Sequence, residues 1–144
     1  MIRKIIIALV SSVIICLSFA FVNYTPETER ESNVQYFSFS SLVMIYLVYA
    51  TPVYLLLGVP FSILIERIKR KIKISHSLFM YFFEVSVYLI AGLLATFIFL
   101  LVLSEGRIFS NPRDAGGFFL LGGIASFLYY HLYMLSYLVK RKEE

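Results

Sequence analysis

The chain has 144 residues, of which 60% are hydrophobic and 15% charged, and its mean hydropathy of +0.83 lies above what a water-soluble domain keeps in solution. Its apolar residues come in runs that are hydrophobic on every face, which suits lipid rather than a water-rimmed core. In hydrocarbon the backbone must be satisfied internally, and without period-2 alternation over strand-length segments the expectation is helices.

The first apolar run covers residues 5–22, behind Arg3 and Lys4, and at about 18 residues is near the lower limit for spanning. The second covers residues 36–65 and is closed by Glu66 and Arg67; being longer than a core of about 30 Å requires, it is expected to tilt, kink or begin in the interface. Within it Pro52 and Pro60 each remove a donor and free the carbonyls of Val48 and Leu56, so a kink is predicted. The third run covers residues 78–103 and the fourth residues 115–139. With short polar loops and no separating linker, residues 1–144 read as one transmembrane domain: an all-α, polytopic four-helix bundle.

Lys and Arg set the orientation. With the N-terminus inside, the cytoplasmic pieces hold Arg3, Lys4, Arg67, Lys69, Arg70, Lys71, Lys73, Lys140, Arg141 and Lys142, leaving only Arg30, Arg107 and Arg113 of the thirteen basic residues outside. The positive-inside rule therefore predicts both ends in the cytoplasm. The pI near 9.2 is then accounted for by topology, without a nucleic-acid partner. Five basic residues between positions 66 and 74 are expected to meet anionic headgroups. Tyr24 and Tyr36 at the outer boundary, with Tyr81 and Tyr137 at the inner one, are expected interface anchors.

The first run also resembles a signal peptide, with Ser18-Phe19-Ala20 as a small-x-small site before Phe21. Retention is the expectation, because Ala8, Ser12, Cys16 and Ala20 recur every four positions and form a stripe on which another helix can pack closely. Cys16 is the only cysteine and reads as a packing residue. His76 and His131 lie on different segments without ligand spacing, so neither a metal nor a cofactor is expected. Gly116, Gly117, Gly122 and Gly123 are not followed by Lys-Ser or Lys-Thr; they are predicted to be close-contact positions, with Ser126, in the outer half of the fourth helix.

Glu84 and His131 are the candidate intramembrane pair, at depths of about 9 and 12 Å from the cytoplasmic end of their helices. An unpaired charge there is costly, so ionisable residues within a span are functional candidates. Glu84 shares a face with Tyr88, Ala91 and Ala95, which predicts that it looks inward. Its carboxylate has three readings: it snorkels, it makes a structural bond, or it carries a proton or cation. Glu84 and His131 are expected to face each other between the third and fourth helices.

The layout resembles small, basic, four-span membrane protein families of bacilli and related Gram-positive bacteria, in size, span count and richness in Ile, Phe, Tyr and Lys. The resemblance implies a plasma-membrane location and no particular activity. Small multidrug transporters also have about four spans and one embedded Glu, but theirs is in the first helix, whereas here the first helix has no acid. No catalytic constellation is present in the sequence. The expected function is thus that of a non-enzymatic accessory or interaction protein, with a membrane-protein partner or a homo-oligomer. The alternative is a small oligomeric proton- or cation-coupled transporter using Glu84.

Overall fold

The computed structural model describes residues 1–72, 77–103 and 112–143, and among them every regular element is helical. Helix α1 spans Ile2–Asn23. Helix α2 (Phe39–Val53), a π-turn (Tyr54–Gly58) and α3 (Val59–Lys71) follow as one continuous run. Helices α4 (Ser77–Leu103) and α5 (Pro112–Glu143) complete the chain. Four segments, Ile2–Glu29, Phe39–Lys71, Leu78–Leu103 and Gly116–Tyr137, contain helix long and apolar enough to cross a membrane.

The predicted small-residue stripe of α1 faces inward, with Ala8, Ser12, Cys16 and Ala20 at most 1% exposed. The opposite face, including Leu9, Val10, Val13 and Leu17, is exposed. Serines fit this apolar helix because their hydroxyls bond to the preceding turn: Ser12 Oγ donates to the Leu9 carbonyl at 2.8 Å and Ser18 Oγ to that of Ile14 at 2.9 Å. The helix stops at Tyr24, whose extended backbone precedes Pro26. In the following loop the Arg30 guanidinium lies 5.7 Å from the Tyr24 ring centre and 5.8 Å from that of Tyr36.

Ser38 caps α2 by accepting from the Ser41 N–H at 3.2 Å. The two prolines disturb the second segment in a more specific way than the predicted kink. Pro52 lies inside α2 and Pro60 at the start of α3, and between them the ladder widens so that the Val59 N–H donates to Tyr54 O, five residues back. The helix also continues past residue 65, where the apolar run ends, to Lys71. Glu66 and Arg70, bonded at 3.2 Å one turn apart, favour that extension. Pro112 suits the first turn of α5, where a missing N–H costs nothing.

The four segments close into a ring in which α1 packs against α2, the π-turn, α3 and α5, while α4 packs against α5, α3 and the π-turn. The crossing of α4 and α5 is set by glycine. A Cβ on Gly92 would lie 2.6 Å from the Gly122 carbonyl oxygen and 2.5 Å from Ser126 Cβ, and one on Gly122 would run into Thr96. Gly116, Gly117 and Gly123 differ from the predicted close contacts, since a Cβ on any of them would meet nothing within 4 Å. The α4 contact occupies a narrow sector of α5, which Gly122 enters and Gly123, about 100° around the helix, does not.

Gly92→Leu is therefore expected to lower unfolding free energy in detergent by about 1–3 kcal/mol through overpacking, whereas Gly123→Leu changes it by less than about 0.5 kcal/mol. Thermal melting of the two variants beside the parent protein checks this.

Candidate functional site

The charged ends of the helices converge. Lys4, in the first turn of α1, is only 8% exposed and points its ammonium at the middle of α3. Its Nζ donates to the Ser62 carbonyl at 3.1 Å and to Glu66 Oε2 at 2.6 Å. The other Glu66 oxygen accepts from Arg70, so this carboxylate is held from two helical elements at once. The α5 end joins through its rings: the Arg3 guanidinium lies 5.2 Å from the Tyr133 ring centre and 5.5 Å from that of Tyr137, and Lys4 Nζ lies 5.6 Å from Tyr133.

A second ion pair joins α3 to α4, between Lys69 Nζ and Glu84 Oε1, whose side chains are 45% and 14% exposed. Glu84 thus faces inward as its register with Tyr88 and Ala95 predicts, those two being 6% and 8% exposed. Its partner differs from the expected one. His131 is held by Tyr81 and Phe127 instead: Nδ1 donates to the Phe127 carbonyl at 2.8 Å, and Nε2 lies 3.1 Å from the Tyr81 hydroxyl. In the neutral ring this places the proton on Nδ1 and leaves Nε2 to accept from Tyr81. The expectation of a Glu84–His131 pair rests on depth alone, and depth does not fix direction around the axis. Tyr130, one residue earlier on α5, shares a cavity wall with Glu84.

That cavity, of about 380 Å³, opens between α3, α4 and α5 and is walled by Glu66, Lys69, Arg70, Glu84, Tyr88 and Tyr130 among others. Deeper in the bundle a smaller cavity of about 80 Å³ is bounded by Tyr54, Ser62, Tyr88, Ala95, Thr96 and Gly122. Tyr88 belongs to both walls, and its hydroxyl is 3.2 Å from Ser62 Oγ on α3. An apolar cleft of about 180 Å³ near Cys16, Phe19 and Tyr46 shares Tyr54, Thr96 and Gly122 with the small cavity. Tyr54 divides these two spaces, with its hydroxyl donating to the Ala125 carbonyl at 3.1 Å.

Among the described residues no group of three or more His, Cys, Asp or Glu assembles. His76 and Lys73 lie outside the described residues. Of the basic residues near 66–74, Lys69 pairs with Glu84 and Arg70 with Glu66. Lys4 was legible as a partner through topology: two successive membrane-length apolar runs return the chain to the side it started from, which brings Lys4, before the first run, near Glu66, after the second. The chain matches no family model, no curated relative and no solved structure.

Double-mutant cycles separate the two pairings. Lys69→Gln and Glu84→Gln should couple by about 0.5–1 kcal/mol in unfolding free energy, whereas Glu84→Gln and His131→Phe should add to within about 0.5 kcal/mol. A large Glu84–His131 coupling with none for Lys69 would contradict the geometry.

Proposed function

We propose that this chain is an integral protein of the plasma membrane, crossing it four times with both ends in the cytoplasm, and that it acts as a non-enzymatic accessory protein through contact with another membrane helix. The meeting of Lys4, Glu66, Lys69, Glu84 and Tyr133 at one end of the bundle supports the orientation, because it collects the basic ends on the side that the positive-inside rule assigns to the cytoplasm.

The interaction reading is carried by the outer face of α4 and α5. A groove of about 470 Å³ runs between Leu89, Leu93, Leu120 and Ile124, with Gly116 and Gly123 in its lining. At Gly92 and Gly122 the space left by a missing side chain is filled by the neighbouring helix; at Gly116 and Gly123 it is empty. Small residues let helix backbones approach in lipid, where association depends on packing rather than on water exclusion. The groove is suited to a membrane-spanning segment of a partner protein.

The transport reading has its own support in Glu84, which stands in the wall of the 380 Å³ cavity. It requires a pH-dependent flux in proteoliposomes that Glu84→Gln abolishes.

A photoreactive side chain at Leu120, 72% exposed in the groove, is expected to give one discrete protein adduct in native membranes, lost in Gly123→Leu. The same group at Leu56, equally exposed but away from the groove, should give none. An adduct of twice the chain mass would identify a second copy, contrary to a foreign partner, and lipid adducts alone would overturn the interaction reading. Reporter fusions after Lys73 and Glu144 should read cytoplasm and one after Asn33 the outside.

A further inference from the structure

We propose that α3 is a gate: a half-helix that swings about the π-turn, latched shut by Lys69 and Glu84, and separating the charged cavity from the interior of the bundle. This inference rests on neither functional reading above.

The hinge comes from the backbone. Between Pro52 and Pro60 the regular four-residue ladder is interrupted, and Val59 reaches back to Tyr54 instead. Interruptions of this kind are where helices bend. Beyond it the apolar attachment of α3 to the core is confined to Val59, Ile63 and Ile65.

Polar contacts hold it in place. Lys4 binds the Ser62 carbonyl and Glu66, Ser62 meets Tyr88, and Lys69 meets Glu84. The two ion pairs differ in how readily they part. Lys4 is buried to 10% side-chain exposure and would lose its charge partner without gaining water. Lys69, at 45%, can exchange the Glu84 carboxylate for solvent with little desolvation penalty. Lys69–Glu84 is therefore the releasing contact, and Lys4, on its flexible four-carbon stem, stays bound to the Ser62 carbonyl and Glu66 as α3 moves. Glu84 can also meet Tyr130 in the cavity wall, so its release from Lys69 does not strand it in an apolar setting.

The position of the partition gives the movement its consequence. The 380 Å³ and 80 Å³ cavities both end at Tyr88, whose hydroxyl is held by Ser62 on the moving element. Displacing α3 from α4 removes Ser62 from Tyr88 and joins the two spaces.

Ala95 lines the inner cavity and is 8% exposed, so an Ala95→Cys variant reports opening by its reaction with a charged, membrane-impermeant thiol reagent. Native Cys16, 1% exposed, supplies the baseline. Adding Lys69→Gln or Glu84→Gln should raise the labelling rate about tenfold, as loss of a latch shifts a local opening equilibrium. The reciprocal exchange, Lys69→Glu with Glu84→Lys, should return it close to the starting rate, an outcome general destabilisation does not produce. If the single variants are not recovered folded, Ala95→Cys alone is labelled in about 1 M salt, which shortens the Debye length to about 3 Å and should accelerate the reaction. Rates unchanged by latch removal or salt, or an exchanged pair that labels as fast as the single variants, would overturn the gate.

Discussion

Everything at the charged end of the bundle is arranged around one buried ammonium. An ammonium at 8% exposure needs strong partners, because withdrawing an ion from water costs several kcal/mol even after relaxation. Glu66 and the Ser62 carbonyl meet that requirement, and in doing so they fix the middle of α3 against α1. Tyr133 brings α5 to the same point, and the Tyr129 hydroxyl reaches the Lys4 carbonyl at 3.5 Å. Three of the four candidate spans are thus registered by a single first-turn residue. The fourth, α4, is added through Lys69 and Glu84.

The rest of the bundle is held by closeness rather than by charge. For helices surrounded by lipid, leaving one apolar neighbour for another gains little, so packing depends on how near two backbones come. Ala8, Ser12, Cys16 and Ala20 give α1 such a face, and Gly92 with Gly122 gives one to the α4–α5 crossing. Large residues lie mostly outside these seams. Ile7, Val59, Ile65 and four tyrosines, Tyr54, Tyr88, Tyr129 and Tyr130, are buried within the bundle; the hydroxyls of Tyr54, Tyr88 and Tyr129 are engaged by a carbonyl or a serine. Their rings fill the centre while their polar ends tie one helix to the next.

How far this was legible in the sequence depends on the kind of information needed. Apolar run length located the candidate spans, and a four-residue period correctly identified the buried face of α1. Both are properties of one helix. Direction around an axis relative to a neighbour is a property of two, and there the sequence misled: Glu84 and His131 match in depth but turn to Lys69 and Tyr81. The glycines of α5 divide for the same reason, since Gly122 meets α4 and Gly123 does not. Prolines announced a disturbance in the second segment, but the Tyr54–Gly58 π-turn depends on which carbonyl Val59 reaches. Lys4 was counted for its sign alone, although Glu66 at the same predicted boundary was available as its partner.

The bundle needs α1 as a permanent part, because without Lys4 the carboxylate of Glu66 and the middle of α3 lose their anchor. The alternative is removal of the segment by cleavage before Phe21. Intact-mass and N-terminal peptide analysis of the protein purified from native membranes tests this most directly. The predicted result is a mature chain that retains the segment carrying Lys4 and the Ala8–Ala20 stripe; a chain beginning at Phe21 would contradict it.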